Sequence, residues 1–140
     1  MLRQAQRSDI GGMHRVRMSV RENRLRSAII TEADYVAEIE TSGRGWVVEV
    51  EGEIVGFAVG NATNGNIWAL FVDPEHERRG HGRQLLDTLV AWLWSRGLER
   101  LWLTTAPGTR AERFYDVAGW ERVGVTSSGE IRFELGRPQT

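Results

Sequence analysis

Apolar and polar positions along this chain change period several times, and each change marks an element. Ile10, Met13, Val16 and Val20 recur at helical spacing behind Ser8 and Asp9, either of which can cap a first helix, although Gly11-Gly12 weakens its start. Residues 19–26 are too polar for a core and read as a loop or helix end. Thr31-Glu32-Ala33-Asp34 resembles a capping box opening a second helix, with Tyr35, Val36 and Ile39 as its apolar face and Gly43 and Gly45 closing it. The pattern then turns to strands: 46–50 and 54–59 flank a short glycine turn as a hairpin. After a second turn at 61–66, residues 67–72 are apolar without alternation, as expected of a central strand covered on both faces.

Leu85, Leu86, Leu89 and Leu93 form one stripe of a third helix over about 82–96, stopped by Gly97. Trp94 falls off that stripe, which makes it a candidate for a subunit interface in a homodimer or for packing on a neighbouring strand. Residues 101–105 read as the next strand, and Thr109-Arg110-Ala111-Glu112 as a capping box that starts a fourth helix with Phe114 and Tyr115 on one face. Strands at 120–126 and 131–135 close the pattern around the turn 127–130, and 137–140 read as a frayed tail. The sum is an α/β fold with a mixed, mostly antiparallel sheet of six to seven strands flanked by four helices.

The chain has 140 residues, 41% of them hydrophobic, which suits a single domain over 1–140. Its formal net charge of −1 argues against a general nucleic-acid or membrane binder, so any basic cluster is local. Without cysteine there are no disulfides, no thiolate metal ligands and no cysteine nucleophile for covalent catalysis. The histidines at 14, 76 and 81 show no metal-ligand spacing, so no metal is expected. No apolar run is long enough to span a membrane and residues 1–4 lack the apolar stretch of a signal peptide, so a cytoplasmic location is expected.

Residues 72–86 carry the candidate chemistry. The apolar strand breaks at Pro74, passes through Arg78-Arg79-Gly80-His81-Gly82-Arg83 and enters the third helix. Glycines let successive backbone N–H groups converge on an oxyanion, and a helix N-terminus adds unpaired donors and a positive dipole end. Glycine turns before helices are common for steric reasons alone. Here the positive side chains at 78, 79 and 83, with His81, oppose the helix dipole at a cost of a few tenths of a kcal/mol each, which suggests that an anion is meant to arrive.

This turn, with Phe114-Tyr115 and Gly119-Trp120 about thirty residues later, resembles the GNAT superfamily of N-acetyltransferases. The coenzyme A signature of that family, Arg/Gln-x-x-Gly-x-Gly/Ala, matches Glu77-Arg78-Arg79-Gly80-His81-Gly82 except at Glu77. The resemblance implies that acetyl-CoA is the co-substrate. Its pyrophosphate would be held at Arg78, Arg79, Gly80, His81, Gly82 and Arg83, and its pantetheine arm along the backbone of Leu70, Phe71 and Val72, with Thr109 standing where relatives often carry an asparagine. It also implies that Tyr115 protonates the departing thiolate, since a phenol with a pKa near 10 is protonated at pH 7. Some relatives place a glutamate base where this chain has Asn66, so Glu22 in the polar loop is the substitute candidate and Glu49 the second. The acceptor is then an amine of unspecified identity. Two other classes compete: a module that senses acyl-CoA without turnover, and a nucleotide-binding module, which is disfavoured by the absence of a Gly-x-x-x-x-Gly-Lys-Ser/Thr motif.

Overall fold

In the computed structural model, which describes residues 1–20 and 30–138, the strands segregate into two antiparallel sheets. The first, in the order β1-β2-β3-β4, contains β1 Leu2–Gln4, β2 Gly43–Val50, β3 Glu53–Asn61 and β4 Ile67–Val72. The second, β5-β7-β6, contains β5 Arg100–Thr105, β6 Glu121–Val125 and β7 Ile131–Gly136. Four α-helices lie among the described residues: α1 Ile10–Ser19, α2 Glu32–Val36, α3 His81–Ser95 and α4 Arg110–Val117. Seven strands and four helices in this arrangement match the expected architecture. The single sheet expected from the pattern is divided in two.

The division has a local cause. β4 and β5 meet at an isolated parallel bridge between Asn66 and Trp102, where the Trp102 N–H donates to the Gly65 carbonyl at 3.0 Å and Asn66 Nδ2 to the Trp102 carbonyl at 3.3 Å. Beyond it they part. The β3–β4 register slips between Val59 and Gly60, so that Trp68 is an extra residue on β4. Such a bulge bends its strand and re-aims a side chain. Trp68 accordingly packs on the same side as Ala69 and Phe71, while Leu70 and Val72 pack on the other.

Each side has its own core. The leucine stripe of α3, as expected, is buried at Leu85, Leu86, Leu89 and Leu93 against Val48, Ala58, Leu101 and Phe133, with Tyr115 and Trp120 beside them. Met13 and Val16 of α1 and Tyr35 of α2 bury Val47, Phe57 and Val59 on the opposite side of the first sheet. Trp94 is half-buried against the α3 core.

Several boundaries differ from the sequence expectation. β1 lies ahead of the first helix, where the pattern predicted no element, and Gly43 and Gly45 belong to β2 instead of closing a helix. A Cβ on Gly43 would collide with the Gly60 carbonyl oxygen, so this glycine serves strand pairing. The capping box at Thr31 has both arms, Thr31 N–H to Asp34 Oδ2 at 2.8 Å and Asp34 N–H to Thr31 Oγ1 at 3.3 Å. At α4 the reciprocal arm has moved: Glu112 N–H donates to Thr109 Oγ1 at 3.3 Å, but the Glu112 carboxylate accepts from the Gly108 N–H at 2.6 Å.

Candidate active site

The wedge between β4 and β5 holds a cavity of about 400 Å³. It passes between the two faces of the divided sheet: Leu70, Val72, Gly82, Phe114 and Tyr115 line it from the side of α3 and α4, and Val20, Trp68 and Phe71 from the side of α1. Past Asn66 the outer edge of β4 has no strand neighbour among the described residues, which leaves backbone donors and acceptors available to an extended ligand. Leu70, Phe71 and Val72, the residues expected to hold such a ligand, all line the cavity.

At the C-terminal end of β4, Asp73 caps a 3-10 turn over Pro74–His76 by accepting from the Glu75 N–H at 2.9 Å. The chain then takes two left-handed residues, Arg78 at φ +62° and Gly80 at φ +83°. Gly80 is the N-cap of α3 and carries no side chain to cap it, and the Gln84 N–H is bonded to the Gly80 carbonyl at 3.0 Å. The N–H groups of His81, Gly82 and Arg83 therefore precede the intrahelical ladder, and no side-chain cap takes them. A helix start of this kind can cradle an anion with backbone alone. Gly82 serves it differently from Gly80: its φ is not left-handed, and a Cβ there would sit 3.4 Å from Phe114 and 3.7 Å from Val72, in the cavity wall.

Positive charge around the cradle is more compensated than the sequence suggests. Arg78, His81 and Arg83 line the cavity, but Arg83 Nε bonds Asp87 Oδ1 at 3.0 Å one turn along α3. Arg79 is exposed and lies outside the lining. Glu77, which departs from the signature, forms an ion pair with Arg110 at the start of α4, so the turn is tied to the neighbouring helix by charge. Burial first, then His76 and Arg79, pushes the His81 imidazole below its ordinary value and favours its neutral form at pH 7.

Tyr115 is 5% exposed and lines the cavity. Its ring is fixed by Phe114, Trp120 and Phe133, with centroids 5.2, 5.6 and 5.9 Å away. Burial pushes its phenol well above the ordinary range, and the hydroxyl has no hydrogen-bond partner among the described residues. It is thus a protonated donor with its proton unspent. Thr109 also lines the cavity, but its hydroxyl donates to the Ala106 carbonyl at 2.7 Å and accepts from Glu112, which commits it to the helix start.

The expected bases fare differently. Glu22 lies outside the described residues. Glu49 accepts from Arg3 Nη2 at 2.8 Å and lies outside the cavity lining, while the Asn66 amide holds the β4–β5 junction. Sequence reasoning missed two groups. Glu130, after the Ser127-Ser128-Gly129 turn, lines the cavity. Arg17 of α1 is 4% exposed, with Nε and Nη1 unpartnered and its guanidinium carbon 4.6 Å from the Trp68 ring, 5.0 Å from Phe71 and 5.3 Å from Tyr35. No group of three or more His, Cys, Asp or Glu residues that could hold a metal occurs among the described residues.

A divided antiparallel sheet, a cavity in the division and a glycine turn leading into α3 at its edge form the arrangement that the resemblance to GNAT acetyltransferases implies. Residues 11–120 match the model of the acetyltransferase (GNAT) family, and the chain belongs to that family. Its fold is similar to those of a GCN5-related N-acetyltransferase from Rhodopseudomonas palustris (TM-score 0.82, 18% identity, covering 98% of this chain and 95% of that one) and of the ribosomal-protein-S18-alanine N-acetyltransferase from Escherichia coli (TM-score 0.79, 18%, 100% and 95%). It is also similar to the PaiA N-acetyltransferase from Thermoplasma acidophilum in complex with coenzyme A (TM-score 0.80, 13%, 98% and 98%). No curated protein sequence matches the chain.

Proposed function

We propose that this chain moves the acetyl group of acetyl-CoA to a primary amine by direct attack in a ternary complex. The observation that carries this reading is the wedge itself, a cavity that joins unspent N–H groups at the start of α3 to the unpartnered hydroxyl of Tyr115. The pyrophosphate of acetyl-CoA suits the cradle at Gly80, His81, Gly82 and Arg83, with Arg78 beside it, and the pantetheine arm suits the open edge of β4. A neighbour of the same fold was solved with coenzyme A. With no cysteine to carry the acetyl group, the amine attacks the thioester directly. Tyr115 then gives its proton to the sulfur, and its raised pKa keeps that proton in place at every pH up to the ordinary phenol range.

Tyr115→Phe removes the hydroxyl and keeps the packed ring. The expected result is a fall in kcat of roughly 10² to 10⁴, the usual range for losing a positioned acid, with acetyl-CoA affinity retained. Unchanged kcat under conditions where chemistry limits the rate would return the hydroxyl to a packing role. A sensor that binds acyl-CoA without turnover is the second reading, favoured by the absence of a carboxylate at Asn66. Acetyl-CoA binding without thiol release for any amine would establish it.

A further inference from the structure

We propose that Arg110 controls how tightly the diphosphate of acetyl-CoA is held without touching it, by cancelling the charge of Glu77 beside the cradle; this rests on the acetyl-transfer reading above. The turn between β4 and α3 carries three acids. Asp73 accepts from the Glu75 N–H at 2.9 Å and lies 3.8 Å from Arg15, and neither Asp73 nor Glu75 lines the cavity. Glu77 does, on the segment that leads to the N-cap Gly80. A carboxylate there repels the anion that the N–H groups of His81, Gly82 and Arg83 attract.

The cations of the turn offset it only in part. Arg83 is bonded to Asp87 and Arg79 lies outside the lining, which leaves Arg78 from the turn itself. The further cation comes from α4. Arg110 is the first residue of that helix, pairs with Glu77 and lines the same cavity. Its position is unfavourable for the helix, because a positive side chain at an N-terminus opposes the dipole, and the Thr109 cap already serves the Glu112 N–H. Glu77 is the more buried partner, its side chain 25% exposed against 60% for Arg110, so its charge is the less screened by water.

Charge cancellation differs from a mechanical tie between α4 and the turn. A tie is broken equally by removing either partner. Cancellation is asymmetric: loss of Arg110 turns Glu77 against the diphosphate, loss of Glu77 leaves a positive charge beside it, and loss of both restores neutrality. Arg110 is thus a positioning residue that acts through Glu77.

The test is a double-mutant cycle, with acetyl-CoA affinity measured by calorimetry at low and high salt for wild type, Arg110→Gln, Glu77→Gln and the double variant. Arg110→Gln should weaken binding about tenfold at low salt, and the deficit should shrink as salt is raised. Glu77→Gln should bind at least as tightly as wild type, and the double variant within about threefold of it. Arg110→Lys keeps the charge and should retain most of the affinity. The dephospho form of acetyl-CoA, which keeps the diphosphate and lacks the phosphate on the ribose, should show the same pattern.

Equal losses in the two single variants would overturn the inference in favour of a tie, and a loss that persists in the double variant would overturn it in favour of direct contact with the ligand. Full affinity in Arg110→Gln would also overturn it, as would a pattern absent from the dephospho form, which would move the effect to the ribose phosphate. Failure of wild type to bind acetyl-CoA would instead overturn the acetyl-transfer reading on which it rests.

Discussion

A buried guanidinium with two unpaired nitrogens costs several kcal/mol to desolvate, and aromatic faces return about 0.5 to 2 kcal/mol each. Arg17 stands in that balance between Tyr35, Phe57, Trp68 and Phe71, and desolvation holds its pKa below the ordinary guanidinium value. Arg17→Met keeps apolar bulk in the box and removes the charge. It is expected to raise stability by about 1 to 2 kcal/mol in chemical denaturation, the lower part of the range for replacing buried charge. A loss of stability instead would show that the rings hold the cation better than water does. From the chain alone Arg17 is one polar residue beside the apolar positions of α1, and its burial depends on the Trp68 bulge, a backbone event that no single residue type announces.

At the scale of elements, the turn into α3 and the tie between β1 and α1 make separate predictions. Gly82→Val places two methyl groups beyond a Cβ that is already 3.4 Å from Phe114, so they must crowd the cavity wall next to the cradle. Acetyl-CoA affinity should fall more than about tenfold, a loss of about 1.4 kcal/mol, with the fold intact by circular dichroism. Calorimetry showing unchanged affinity would remove the cradle from the binding site. Asp9, in the 3-10 turn before α1, accepts from Arg3 Nη1 and Nη2 at 2.9 Å each and from the Gln6 N–H at 2.7 Å.

The Arg3 bonds hold the Asp9 carboxyl below its ordinary value of 3.8, with burial opposing them. A carboxyl whose folded pKa is depressed is fully stabilising above the unfolded value and loses that contribution as pH falls through the folded one. Asp9→Asn should therefore cost about 1 to 2 kcal/mol at pH 7, discounted because a third of the Arg3 side chain remains in water. The difference from wild type should shrink below about pH 4. A pH-independent difference in denaturation midpoints would place the effect in packing and not in charge.

Across the whole molecule, what the sequence disclosed and what it concealed divide by range. The α3 leucine stripe, the Thr31 capping box, the 46–59 hairpin and the turn at 78–83 are local patterns, and each appears where periodicity or turn chemistry put it. β1 is three residues long with Arg3 and Gln4 in it, too short and polar for alternation to register. Residues 67–72 read as a central strand because both of their faces are covered, yet β4 is the last strand of its sheet, since its outer edge faces the wedge. Glu130 was illegible for the same reason: its place depends on β7 pairing with β5, more than twenty-five residues away in sequence. Tyr115, proposed as the acid, was readable because a motif marks its position, whereas no motif marks Glu130.

Amine-dependent thiol release from acetyl-CoA by the purified chain tests the central claim most directly. Acetyl transfer in the wedge predicts that thiol appears only when a primary amine is present, in equal amount to the acetylated amine detected by mass spectrometry, and that Tyr115→Phe suppresses both. Tight binding of acetyl-CoA with no thiol released at any amine concentration would contradict it.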